Sequence, residues 1–356
     1  MIKERILKIQ QKLCDDEAFI VFYGPNRFYL TGFNSSAGAV LITPKSASFI
    51  IDFRYFEKAK KVVKSCNVIL SDKIWQQITE ILKADKIKTL YVENRTLSLS
   101  EFSALKKQLG GFKISEDTTL DDYIYLLRSV KSEGELSLMR KAQALTDEAF
   151  EYILNYIRPG KTEKAIALEL EFYMRRHGSE GVAFDSIVVS GENSSLPHGT
   201  PGDREVRRGD FITMDFGAVV GGYCADMTRT VAVGEISDRQ KLVYDTVLNA
   251  QLEAMKHIKT GAVCREIDAV ARDLIDNCGF EGCFGHSLGH SLGIQVHEAP
   301  GFNLRDNTVL VSGMVLSVEP GIYLENEFGV RIEDVVCVTN GGFDNLTKSP
   351  KELIIL

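Results

Sequence analysis

Three of the six histidines, His286, His290 and His297, fall within the stretch GHSLGHSLGIQVHEAP, and a fourth, His198, stands in LPHGTP. Acidic residues placed inside apolar strands are the second anomaly. In DFITMDFGAVVGGYCADMTRTVAV two strand patterns flank a Gly-Gly turn, which predicts a hairpin. Strand alternation puts Phe211, Thr213 and Asp215 on one face, and Asp226, Thr228 and Thr230 together on the returning strand. Asp215 and Asp226 are then expected as cross-strand neighbours, where like charges repel. GMVLSVEPG sets Ser317 and Glu319 opposite Met314, Leu316 and Val318, and GVRIEDVVCV sets Arg331 and Glu333 opposite Val330 and Ile332.

Four carboxylates on half-buried strands are costly unless compensated. Arginine pairing is one remedy, with Arg331 available for one acid; protonation is a second, and one or two divalent cations a third. The nearby histidines favour the cation. HxxxH on a helix would suggest zinc-protease chemistry, but that needs HExxH, and Gly285, Gly289 and Gly293 oppose a helix here. The glycines instead suggest backbone packed tightly against a ligand, with imidazoles aimed at it. One histidine with four carboxylates is a hard, oxygen-rich donor set, suited to Mn²⁺, Fe²⁺ or Co²⁺ rather than structural zinc. Five protein ligands serve two such ions only if some carboxylates bridge, which is the pattern of two-metal hydrolysis.

The elements that must position these residues fall into two groups. Residues 1–118 alternate strand-like runs (AFIVFY, GAVLIT, SFIIDF, NVIL, TLYVE) with helical patterns over 2–13, 54–64 and 73–84. Ser98 with Glu101 caps one more helix. That alternation predicts an α/β domain. Residues 121–135 read as a linker. Ser132 with Glu135 then caps a long helix to about 157, Thr162 opens another to near Gly178, Ser237 with Gln240 caps a third to about 259, and a fourth covers 264–278. The strands lie in 183–234 and 282–356, apart from the helices, so this half is expected to be α+β. The boundary is drawn between domains 1–122 and 123–356.

The chain of 356 residues has ordinary hydrophobic (44%) and charged (26%) content, so two globular domains are expected. A net charge of −7 argues against a nucleic-acid partner. No apolar run is long enough for a membrane helix, and MIKERILKIQQKL reads as an amphipathic helix rather than a signal peptide. Seven cysteines without a CxxC pair suggest reduced thiols and a cytoplasmic protein, with Cys224 and Cys283 read as packing residues.

In this order, LPHGTP, DFGAVVGGYCADMTRT, GHSLGHSLGIQVHEAP, SVEPGIY and VRIEDVV resemble the pita-bread metallopeptidases of peptidase family M24, in particular the Xaa-Pro dipeptidases and Xaa-Pro aminopeptidases. NRFYLTGFNSSAGAVLITPKSASFIIDFRYFEKA resembles their creatinase-type N-terminal domain, and LLRSVKSEGELSLMRKAQALTDEAF their linker and first catalytic helix. The resemblance implies an α/β N-terminal domain followed by an α+β pita-bread catalytic domain. It implies two divalent ions, Mn²⁺ first, with Co²⁺ or Fe²⁺ as alternatives. Asp215 would bind one ion, Asp226 and Glu333 would bridge both, and His290 and Glu319 would complete the set of ligands around the second ion. Glu319 would also shuttle the proton, while His198 and His297 would contact the scissile peptide. His286, Tyr323 and Arg331 would line the substrate pocket. Short proline-containing peptides are the implied substrates, and a homodimer the implied assembly, in which residues 1–120 limit peptide length. The YLTGFNSSAG stretch is expected as a glycine-rich loop able to lie over something. A methionine-type aminopeptidase or a non-catalytic peptide-binding member are the alternatives. The first is disfavoured by the extra domain, the second by the intact ligand set.

Overall fold

Short runs of β-branched and aromatic residues form the centre of the first of two units. Strands β1 (Glu17–Val21), β2 (Ala39–Ile42), β3 (Ala47–Ile51), β4 (Asn67–Leu70), β5 (Thr89–Tyr91) and β6 (Lys113–Ser115) make one sheet ordered β4-β3-β2-β1-β5-β6. The three central strands pair antiparallel and the outer ones parallel. Around it run α1 (Ile2–Gln10), α2 (Gly24–Thr31), α3 (Phe53–Val62), α4 (Ile74–Ala84), α5 (Leu99–Gln108) and α6 (Thr119–Ser129). Ile78 and Leu82 of α4 and Leu105 of α5 are buried against Ile20, Leu41 and Leu90 of the sheet. This is the expected α/β unit. The computed structural model describes residues 2–356, and its two units meet in sequence between Arg128 and Ser129.

Two expectations are corrected here. Residues 121–129, the first part of the stretch read as a linker, belong to helix α6, where Leu120 and Ile124 recur at helical spacing and are buried. The boundary drawn at 122/123 lies inside that helix. The glycine-rich loop also begins later than expected: Tyr29, Leu30 and Thr31 belong to α2, and Tyr29 is only 3% exposed. Gly32 ends that helix with φ +68°, a left-handed turn that glycine adopts without strain.

In the second unit helices and strands are segregated, as α+β requires. Helices α7 (Glu133–Leu154) and α8 (Glu163–Arg176) pack Phe150, Ile153, Leu170 and Met174 on a sheet ordered β11-β8-β7. Its strands are β7 (Ile187–Ser190), β8 (Phe211–Phe216) and β11 (Met227–Ala232), with the small pair β9 (Val219–Val220) and β10 (Tyr223–Cys224) between the last two. Helices α9 (Asp238–Lys256) and α10 (Cys264–Ile275) share a core with a five-stranded sheet, β13-β12-β14-β17-β18. Those strands are β12 (Gly289–Ser291), β13 (Glu298–Phe302), β14 (Val315–Val318), β17 (Asp334–Val338) and β18 (Phe343–Asn345). A hairpin of β15 (Gly321–Leu324) and β16 (Phe328–Arg331) completes the unit. The Ser132–Glu135 and Ser237–Gln240 capping boxes both form, and Thr162 accepts from the Ala165 N–H at the start of α8. Each therefore satisfies orphan amides at a helix start.

Candidate active site

The hairpin of β8 and β11 supplies the first carboxylates. Thr213 stands opposite Thr230, their hydroxyls 2.9 Å apart, and Asp215 opposite Thr228. Asp226 lies two residues before Thr228, so the two aspartates meet diagonally rather than directly across the ladder. The side pair β9–β10 and the turn residues around it use up the residues that would have brought them opposite. The charge of Asp215 still raises the Asp226 carboxyl, so the repulsion anticipated from the sequence is present.

Strand β14 and the segment linking β16 to β17 bring the rest. Ser317 Oγ accepts the His290 N–H at 3.0 Å and donates to Glu319 Oε1 at 3.0 Å, coupling the histidine strand to the acid. Thr228 Oγ1 donates to Glu333 Oε2 at 2.8 Å and accepts from Arg331 Nε at 3.0 Å. Arg331 then reaches Asp215 Oδ2 at 2.8 Å, the Tyr323 hydroxyl at 2.8 Å and the Pro197 carbonyl at 3.1 Å. Thr228 is thus the joint of the site; the sequence placed it on the right face but gave it no role.

No helix forms around His286 and His290, and His290 instead lies in the middle of β12. Gly289 and Gly293 make room for protein, not for a ligand. A Cβ on Gly289 would lie 2.0 Å from the Ser317 carbonyl oxygen, and one on Gly293 would press on Lys131 and Glu298. One on Gly285 would meet nothing within 4 Å. His290 Nε2 is 3.3 Å from Glu319 Oε1 and 3.6 Å from Asp226 Oδ2. Its ring meets that of His297 edge to face, centroids 4.5 Å apart. His286 Nε2 is 2.9 Å from the Tyr323 hydroxyl.

These groups face a cavity of about 330 Å³ lined by His198, Asp215, Asp226, His286, His290, His297, Glu319 and Arg331. Glu333 and Tyr323 stand behind that lining. Phe184, Asp185, Ile187, Val296, Ser287 and Pro197 complete the wall. Sequence reasoning missed them, since an apolar strand end and a loop carry no chemical signal of their own.

Burial dominates the electrostatics. It raises the Asp226 and Glu333 carboxyls well above the ordinary range, and repulsion from neighbouring acids adds to it. Asp215 is raised less, because Arg331 opposes its burial. Burial also works against charge on Glu319, but its hydrogen bond and ion pair with His290 win and hold it down at about 2. Despite burial, His290 is raised by the same partnership. Burial lowers His286 and His297, so both are neutral at pH 7.

Asp226, His290 and Glu333 each offer a ligand atom, and these lie within 4.8 Å of one another; among the described residues they form the one group of its kind. Asp215 Oδ1 and Glu333 Oε1 are buried without a hydrogen-bond partner. Buried anionic oxygens left unsatisfied fit a hard divalent cation, which would supply the missing charge and ligand contacts. Cys224, also near the site, is pushed up to about 12 by burial and is no nucleophile.

The family model described as metallopeptidase family M24 matches residues 137–340, and that described as the creatinase/prolidase N-terminal domain matches residues 5–130. An Xaa-Pro dipeptidase of Pyrococcus horikoshii is 37% identical across 99% of each chain. The solved structure of an Xaa-Pro dipeptidase from Bacillus anthracis superposes with a TM-score of 0.93, at 42% identity, over 100% of this chain and 99% of that one. An X-Pro aminopeptidase from Thermotoga maritima gives a TM-score of 0.91 at 38% identity, over 98% and 99%.

Proposed function

The chain belongs to metallopeptidase family M24, and from that premise we propose that it is an exopeptidase hydrolysing the Xaa-Pro bond of dipeptides or short peptides. The observation that carries the proposal is the convergence of Asp226, His290 and Glu333, with buried carboxylate oxygens unsatisfied, on a cavity rimmed by His198 and His297. Asp215 would hold one ion, Asp226 and Glu333 both, and His290 and Glu319 the second; Mn²⁺ is the ion we favour for this donor set, before Co²⁺ or Fe²⁺. Two divalent cations bound there would polarise the scissile carbonyl and make water acidic enough to attack near neutral pH.

The chain's own residues do the rest. Glu319 is held ionised, so its carboxylate takes a proton from the attacking water and returns it to the departing proline nitrogen. His198 and His297 line the cavity where their imidazole N–H groups steady the carbonyl oxygen as negative charge grows on it. Arg331 keeps Asp215 compensated and, with Tyr323, fixes the His286 ring as one wall of the substrate pocket.

We extend the proposal to a homodimer, and to a reducing, cytoplasmic setting that suits seven unbridged cysteines. No helix among the described residues is long and apolar enough to cross a membrane. Assay of Mn²⁺-reconstituted protein on Ala-Pro and on Xaa-Pro-Xaa peptides tests the activity. Cleavage before proline that chelation abolishes is expected. If both peptide classes stay uncut, the reading is wrong.

A further inference from the structure

Helix α10 carries a buried carboxylate and a guanidinium one turn apart, Asp268 and Arg272, and neither lines the cavity. They form a two-bond fork, Nε to Oδ2 at 3.0 Å and NH2 to Oδ1 at 3.1 Å. Both also reach out of the helix. Asp268 Oδ1 accepts the Leu288 N–H at 2.9 Å. Arg272 donates to the Phe284 carbonyl at 2.8 Å and the His286 carbonyl at 2.9 Å, and lies 4.4 Å over the Phe284 ring. Leu288 passes the constraint on, since its carbonyl accepts the Glu319 N–H at 2.8 Å.

One ion pair therefore grips residues 284–288 at three backbone points. That segment bears His286, runs two residues on into His290, and is tied directly to Glu319. Apolar packing could hold a loop without the cost of burying Asp268 completely. What it could not do is fix backbone groups at defined angles: the planar fork of Arg272 holds two carbonyls and orients Asp268 to hold the Leu288 N–H, and a lysine has no such fork.

From this we infer that Asp268 and Arg272 are positioning residues, a clamp that sets the offset of His286 and His290 from Glu319 and so aims the ligating imidazole. The inference deepens the peptidase reading and rests on it for the activity measurement alone.

The test uses the full chain with Arg272→Lys and Arg272→Met, checked for folding by near-ultraviolet circular dichroism. Stripped protein is titrated with Mn²⁺ by calorimetry, and kcat and KM are measured on Ala-Pro. Outer partners of metal ligands typically contribute roughly 10–100-fold, so Mn²⁺ affinity and kcat are expected to fall by about tenfold in Arg272→Met. KM should move less, and Arg272→Lys, which keeps the charge but not the fork, should lie between. A merely structural role would lower the melting temperature and leave Mn²⁺ affinity of the folded protein unchanged. Wild-type affinity in folded Arg272→Met overturns the inference. If that variant does not fold, wild-type affinity in Arg272→Lys overturns it. If the parent protein cuts no Xaa-Pro peptide, the functional reading falls while the Mn²⁺ titration still decides the clamp.

Discussion

Of the four carboxylates in the site, Asp215 has Arg331 at 2.8 Å and Glu319 has His290 at 3.3 Å, whereas Asp226 and Glu333 are raised well above the usual range by burial. Without a cation, burial and repulsion from neighbouring acids already favour the neutral form of those two, so an amide in their place costs little in the stripped protein. Asp226→Asn and Glu333→Gln are therefore expected to melt at or slightly above the wild-type temperature when metal-free. Loss of a direct ligand should exceed the roughly 100-fold seen for outer partners, so kcat/KM should fall by more than that. Metal analysis after desalting, run beside calorimetry, checks both halves, and two retained metal equivalents in either variant would contradict the assignment. Thr228→Val makes a different prediction. It keeps the shape but strands Glu333 Oε2 and Arg331 Nε, each buried, so urea denaturation should show a loss of about 1–3 kcal/mol.

Among the elements, β12 has the least room. Its Gly289 packs on the Ser317 carbonyl so closely that any Cβ would sit 2.0 Å from it, and β14 cannot retreat without moving Glu319. Gly289→Ala is expected to cost roughly 3 kcal/mol, the upper end for overpacking, and to lower bound metal in whatever protein remains folded. Gly285→Ala, four residues earlier in the same motif, meets nothing within 4 Å and should keep stability and activity within about twofold. Thermal melts of the two variants side by side settle it. Equal tolerance at both positions would mean that β12 shifts freely.

For the whole molecule, the proposed metal centre lies entirely within residues 129–356, whereas residues 2–128 have their own core. A cation that binds only the folded site stabilises it by about 2.7 kcal/mol at one hundred times its dissociation constant. Adding Mn²⁺ to stripped protein is therefore expected to raise the unfolding transition of the second unit and leave that of the first in place. Differential scanning calorimetry reads this directly, and a shift of both transitions together would show that the units unfold as one. In sedimentation the chain is expected at twice the mass of a single copy.

Much of this was legible in the sequence because it depends on local spacing. Capping boxes at Ser132 and Ser237 declared their helices, and strand parity put Thr213, Asp215, Thr228 and Thr230 on facing surfaces without reference to the rest of the chain. The same parity exposed Glu319 and Glu333 as acids where apolar residues belong, and that anomaly demanded a compensating charge. The resemblance, not the spacing, proposed which acid does what. Tertiary structure alone decided which charges meet. Arg331 could have served any of the acids, and its choice of Asp215 over Glu333 follows from where β8 and β16 pack. The diagonal meeting of Asp215 with Asp226 depends on a turn that takes up extra residues. Gly289 of the histidine motif proved to admit a neighbouring carbonyl, and the clamp of Asp268 and Arg272 joins residues up to twenty positions apart. Spacing along a chain specifies which face a side chain takes; only the packing of one element on another specifies what stands opposite it.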